Sequence, residues 1–145
     1  MKILVINGPN INMLGIREPD TYGRITYDQL CSRLQEHAAQ QGIELDIYQS
    51  NHEGDLIDRI QAAYGESDAI VINPGAYTHT SIALLDALKA VGLPAVEVHI
   101  SDVDSREEFR RISYVRAACV KTISGHGVQG YKEAIDYLAE RDSEQ

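Results

Sequence analysis

The sequence predicts an α/β protein built on an all-parallel sheet, and three observations carry that reading. Short apolar runs alternate with segments of helical periodicity five times along the chain. The first run, Lys2–Asn7, is continuously apolar and β-branched, as expected of a strand buried on both faces. With 145 residues, 43% hydrophobic and 24% charged, the chain reads as one ordinary globular domain, residues 1–145, able to bury a core. The simplest packing at this length is a flavodoxin-like three-layer sandwich. Its five-stranded parallel sheet has the order 2-1-3-4-5, with helices on both faces.

Each element has its own warrant. After Lys2–Asn7 comes a Gly-, Pro- and Asn-rich stretch to Gly23, too long for an ordinary strand-to-helix connection of about 2–6 residues. Ile11, Met13, Leu14 and Ile16 give it apolar anchors. Gly15 and Gly23 bracket one cation, Arg17, and one phenol, Tyr22, as in a hinged lid bearing reactive groups. Thr26 and Gln29 then form a capping-box pattern opening a helix with Tyr27, Leu30, Cys31, Leu34 and Ala38 inward, ended by Gly42. Ile43–Gln49 is the second strand, followed by a helix with the stripe Leu56, Ile57, Ile60, Ala63 and Tyr64. The third strand, Ala69–Ile72, stops at Asn73-Pro74-Gly75, and hydroxyls up to Ser81 cap the helix Ile82–Val91. Pro94–Ile100 is the fourth strand, Arg106–Tyr114 a short helical segment, Val120–Ser124 the fifth strand, and Tyr131–Arg141 a closing helix before a frayed Ser143–Gln145.

Composition narrows the chemistry. No apolar run approaches the ~20 residues needed to span a bilayer, and Ile3–Ile6 is too short for the apolar core of a leader. Two cysteines without CxxC spacing read as reduced thiols of a cytoplasmic protein. A net charge of −9 disfavours nucleic acid or an anionic membrane as partner. The five histidines lack metal-ligand spacing, so no metal is expected. Gly125-His126-Gly127-Val128-Gln129-Gly130 fits GxGxxG, but only one helix follows where a dinucleotide fold needs a further βαβ crossover, so it reads as a tight turn. A flavin phosphate loop and a phospho-acceptor Asp are absent from the expected strand ends. No lysine falls in a loop at the C-terminal sheet edge, which disfavours Schiff-base catalysis. No cofactor is expected.

What remains is acid–base chemistry on an anionic small molecule. The C-terminal edge of such a sheet gathers the loops after Asn7, Gln49, Ile72 and Ile100. His79 and His99 lie at or just past central strand ends, whereas His52 and His126 are loop residues with a weaker claim on the site. On the fourth strand, Glu97, His99 and Ser101 share one face, with i and i+2 positions about 6–7 Å apart. A buried Glu is out of place there unless paired; here it can orient His99 and favour its protonated form. Arg106 and Arg110, four apart, read as one basic face able to clamp a carboxylate or phosphate. A tyrosine serves as base at neutral pH only when its pKa falls about 3 units, worth ~4 kcal/mol, and Arg17 is the adjacent guanidinium. Proton abstraction beside a carbonyl with loss of a hydroxyl would use all these groups. The competing reading is a non-catalytic flavodoxin-like binding module.

These residues carry a resemblance. Asn7-Gly8-Pro9-Asn10, Leu14-Gly15, Arg17-Glu18-Pro19, Tyr22-Gly23, Gln49-Ser50-Asn51, Asn73 through Ser81, Glu97 through Ser101 and Arg106 through Arg110 resemble type II 3-dehydroquinate dehydratase, over about residues 3–138. The resemblance implies a lyase of the shikimate route. It would convert 3-dehydroquinate to 3-dehydroshikimate and water by anti elimination through an enolate, without metal or Schiff base. It implies Tyr22 as base, Arg17 stabilising the phenolate, Asn10 binding the water that holds the enolate, and His99, oriented by Glu97, as acid. Asn73, His79, Ile100, Ser101 and Arg110 would hold the substrate. Asp86 would reach in from a neighbouring subunit of a homododecamer, a tetramer of trimers. Asp102, Ile11 and Leu85 depart from the usual pattern without removing a catalytic group.

Overall fold

The computed structural model of the chain describes residues 1–16 and 24–144. Strand β1 (Lys2–Asn7) leads into a loop containing a 3-10 turn (Ile11–Met13), and helix α1 (Tyr27–Gln40) follows. Then come β2 (Glu44–Gln49), α2 (Glu53–Ala62), β3 (Ala69–Asn73), a 3-10 turn (Gly75–His79) and α3 (Ile82–Val91). After β4 (Ala95–His99) lie three 3-10 turns, Val103–Ser105, Glu108–Arg110 and Val115–Ala118, then β5 (Lys121–Ser124) and α4 (Gln129–Ser143). The strands form one parallel sheet in the order β2-β1-β3-β4-β5, the flavodoxin-like arrangement expected from the sequence.

Alternation along the strands builds two cores. Ile3 and Val5 of β1, Val71 of β3 and Val96 and Val98 of β4 pack under α1 and α4. Leu4, Ile6, Ile70 and Ile72 pack under α2 and α3. Two helix starts, those of α1 and α3, follow the cap chemistry. The Thr26 hydroxyl accepts from the Gln29 N–H at 3.2 Å while Gln29 Oε1 accepts from the Thr26 N–H at 2.9 Å. Ser81 Oγ accepts from the Leu84 N–H at 3.0 Å at the start of α3.

Three expectations are corrected. The segment Arg106–Tyr114 is not one helix. Glu107 is extended at φ −59°, ψ 149°, and only Glu108–Arg110 makes a 3-10 turn. Phe109 and Ile112 both stay exposed, so the segment has no apolar stripe to bury, and burial of a stripe is what sustains most short helices. Tyr64 leaves the buried stripe, because α2 ends at Ala62 and turns the ring to solvent. Helix α4 begins at Gln129 rather than Tyr131. Gly130 packs its first turn so closely on the sheet that a Cβ there would lie 3.3 Å from Ile123 and 3.4 Å from Val98.

Candidate active site

The floor of the site is made where β1 and β3 end side by side, with Asn7 in register with Asn73. The Gly8 N–H donates to the Asn73 carbonyl at 2.8 Å. This approach needs glycine, since a Cβ on Gly8 would sit 2.2 Å from the Pro74 carbonyl oxygen. Asn10 adopts φ 69°, in the left-handed region that asparagine tolerates. Its N–H donates to Asn51 Oδ1 at 3.1 Å, and Gln49 Nε2 donates to the Gly8 carbonyl at 3.2 Å. Asn10 is thus held by the loop after β2. Gly15 adopts φ 84°, and a Cβ there would lie 3.1 Å from the Ile25 carbonyl oxygen; the lid expected between Gly15 and Gly23 lies largely outside the described residues.

A fully buried tyrosine ties this floor together from below. Tyr131 of α4 donates its hydroxyl to Asn7 Oδ1 at 2.7 Å and accepts from Asn73 Nδ2 at 2.8 Å. Burial raises its pKa above the ordinary tyrosine value, so the hydroxyl stays protonated and able to donate. Asn73 Oδ1 in turn accepts from the Gly75 N–H at 3.2 Å.

At the end of β4, His99 Nε2 meets Glu97 Oε2 at 2.5 Å, and the ring lines the cleft. Glu97 is fully buried and accepts three further hydrogen bonds. They come from Ser113 Oγ at 2.6 Å, Arg116 Nε at 3.1 Å and Thr122 Oγ1 at 3.0 Å. Burial alone would raise the Glu97 carboxyl, but the bonds from His99, Ser113 and Arg116 outweigh it and pull its pKa down to about 2. The β4 end is fixed from outside as well: the Gly125 N–H donates to the His99 carbonyl at 3.2 Å and the Gly127 N–H to the Ile100 carbonyl at 3.0 Å. That is what the GxGxxG-like turn does here.

These parts enclose a cleft of ≈ 150 Å³ in which Asn10, Asn73, His79, His99, Ile100, Ser101 and Arg110 meet, with Pro9, Gly75, Val103 and Arg106 beside them. His79 is anchored through Nδ1 at 2.7 Å from the Ile112 carbonyl oxygen. Its partial burial, with lesser contributions from His99 and Arg110, lowers its pKa and favours the neutral ring. Arg106 and Arg110 face the cleft through the irregular backbone rather than one helical face, and Arg106 Nη1 reaches Ser101 Oγ at 3.5 Å. The Arg110 side chain is also aligned by Glu107, 2.7 Å from its Nε.

Of the other residues singled out in the sequence, Glu97 stands behind His99 rather than in the cleft wall, and Asp86 lies on the outer face of α3, away from the cleft. His52 is the N-cap position of α2, and His126 pairs with Glu133 at 2.8 Å; neither lines the cleft. Arg17 and Tyr22 lie outside the described residues. Sequence reasoning gave no role to Ser113, Arg116 or Thr122 and read Tyr131 only as the start of the closing helix. Thr122 carries no local signal of its own, because its place opposite Glu97 is set by the register of β4 and β5.

The chain matches the family model described as dehydroquinase class II over residues 1–139. The 3-dehydroquinate dehydratase of Carboxydothermus hydrogenoformans is 54% identical, across 99% of this chain and 96% of that protein. Catabolic 3-dehydroquinase 2 of Aspergillus fumigatus is 53% identical, across 94% of this chain and 91% of its own length. The crystal structure of type II dehydroquinase from Butyrivibrio crossotus superposes with a TM-score of 0.95 at 54% identity, covering 96% of this chain and 97% of that one.

Proposed function

The chain belongs to the class II dehydroquinase family, and from that premise we propose that its cleft dehydrates 3-dehydroquinate to 3-dehydroshikimate in the shikimate route. The observation that carries the reading is the buried Glu97–His99 pair opening onto a small cleft with Asn10, Asn73 and Arg110. A carboxylate-backed imidazole is a general acid–base group, and an arginine beside it suits an anionic substrate.

Asn73, His79, Ile100, Ser101 and Arg110 hold the substrate's hydroxyls and carboxylate. Tyr22 removes the C2 proton as phenolate, stabilised by the Arg17 guanidinium. The electron pair passes to the carbonyl oxygen as an enolate, held through a water on Asn10. When the enolate collapses, the C1–O bond breaks, His99 delivers a proton to the departing hydroxyl, and the conjugated enone and water form. No imine or metal takes part.

The residues act as one catalytic domain placed in the cytoplasm and assembled as a homododecamer. No helix among the described residues is long and apolar enough to cross a membrane. Both cysteines are free thiols, and burial pushes the Cys119 thiol up to about 12, which suits inert reduced cysteines. Ile82 and Asp86, four apart on the outer face of α3, and the exposed Phe109 and Ile112 support a docking surface for a neighbouring subunit from which Asp86 acts.

Mixing the protein with 3-dehydroquinate is expected to generate the ultraviolet absorbance of the enone; a flat trace at neutral pH overturns the assignment. Tyr22→Phe is expected to abolish most turnover while retaining substrate binding by calorimetry. Borohydride added with substrate is expected to leave the enzyme active, since inactivation would reveal an imine.

A further inference from the structure

Glu97 is engaged beyond what orienting a histidine requires. An ionised carboxylate has about four acceptor positions, and here each oxygen takes two donors. Oε2 accepts from His99 and Ser113, and Oε1 accepts from Arg116 and Thr122. Only His99 among these four lines the cleft. The other three come from three places in the chain: Ser113 precedes the Val115–Ala118 turn, Arg116 sits on it, and Thr122 is the β5 partner of Glu97. A fully buried carboxylate without a counter-charge is costly, and Arg116 supplies that charge from the side away from the cleft.

We propose that Arg116, together with Ser113 and Thr122, is a positioning set that locks the Glu97 carboxylate and thereby sets how tightly His99 holds its proton. The proposal rests on the reading of His99 as the acid of the dehydration. The balance is electrostatic. Glu97 pulls on the His99 proton, and Arg116 on the opposite oxygen opposes that pull, keeping the imidazolium acidic enough to release its proton to a leaving hydroxyl. The hydroxyls of Ser113 and Thr122 act in the same direction, because a carboxylate with more donors is a weaker base.

The other charged or titratable groups facing the pair leave this role to Arg116. His79, on the turn after β3, and Arg106 and Arg110, on the segment after β4, meet His99 in the cleft. Cys119, after the Val115–Ala118 turn, is a neutral thiol whose proton is held by burial and, to a lesser degree, by Glu97's own charge. From β3, Ile72 is the register partner of Glu97 and carries no charge. Among the described residues, Arg116 is therefore the arginine that contacts the carboxylate directly, on the oxygen that His99 leaves free.

The test compares wild type with Arg116→Met, Arg116→Lys and Thr122→Val, following the His99 ring by NMR titration and the pH dependence of kcat and KM. Arg116→Met is expected to raise the His99 pKa by about one unit and to move the basic limb of kcat with it. KM is expected to stay within about twofold, because Arg116 does not touch the cleft, and kcat to fall by up to tenfold or about 1.4 kcal/mol. Arg116→Lys is expected to restore part of the shift, and Thr122→Val, nearly isosteric, to reproduce it on a smaller scale. A lower melting temperature with an unmoved His99 titration in both Arg116→Met and Thr122→Val overturns the positioning role. If Arg116→Met does not fold, an unmoved titration in Thr122→Val alone overturns it. His99→Gln separates this from failure of the acid assignment. An inactive His99→Gln beside an unmoved titration sinks the positioning role alone, and a fully active His99→Gln sinks the acid assignment and the proposal with it.

Discussion

Glu97 is a single residue on which stability and reactivity both depend. Its carboxyl titrates at about 2 in the folded chain against an ordinary 4.5, so the unfolded chain binds the proton more readily. The stabilisation this creates, on the order of 3 kcal/mol, is complete above about pH 4.5 and is lost as pH falls toward 2. Glu97→Gln is therefore expected to be less stable at pH 7 by a similar amount and to show a flatter stability profile between pH 4.5 and 2. Urea midpoints at pH 7, 4 and 3 check both statements. Asn10 offers a contrasting case, because its left-handed φ of 69° is a conformation glycine adopts freely. Asn10→Gly is expected to hold the wild-type melting temperature while kcat falls by about tenfold or more, consistent with loss of a side chain that binds the enolate's water.

The elements differ in what a glycine does for them. In α2, Gly54 sits in the first turn, and a Cβ added there would meet nothing within 4 Å, so Gly54→Ala adds helix propensity without a clash. It is expected to stabilise by about 0.5–1 kcal/mol, a rise of roughly 1–4 °C in melting temperature for a chain of this size. At the end of β1, Gly8→Ala forces a methyl to within 2.2 Å of the Pro74 carbonyl oxygen and must separate β1 from β3 at the floor of the site. There the melting temperature is expected to fall, with turnover falling alongside it. The two glycines thus set a loop whose backbone the sheet edge dictates against the surface turn of a helix. Helix α4 contributes to the site through one hydroxyl, that of Tyr131, although the helix lies against the opposite core from α2 and α3.

For the whole molecule, the acidic surface and the exposed apolar residues point in different directions. A net charge of −9 keeps copies apart, whereas Ile82, Phe109 and Ile112 leave apolar surface uncovered on the isolated chain. The proposed homododecamer is expected to sediment at about twelve times the 16.1 kDa chain mass. Asp86→Ala is expected to raise KM more than it changes the sedimentation, if its carboxylate acts in a neighbour's site. A monomer that turns over at full rate would remove Asp86 and the assembly from the mechanism.

By itself the sequence determined the alternation of strands and helices, the capping of α1 and α3, and the pairing of Glu97 with His99. Each follows from short-range rules: apolar runs, hydroxyls before helices, and the two-residue period of a strand. The tertiary structure alone decided that Ser113, Arg116 and Thr122 converge on Glu97 and that Tyr131 reaches Asn7 across 124 positions of sequence. It also decided that Arg106 and Arg110 reach the cleft without a helix to carry them. Buried polar groups must find partners wherever the packed chain supplies them, and those partners follow from burial and distance in space, which no local pattern encodes.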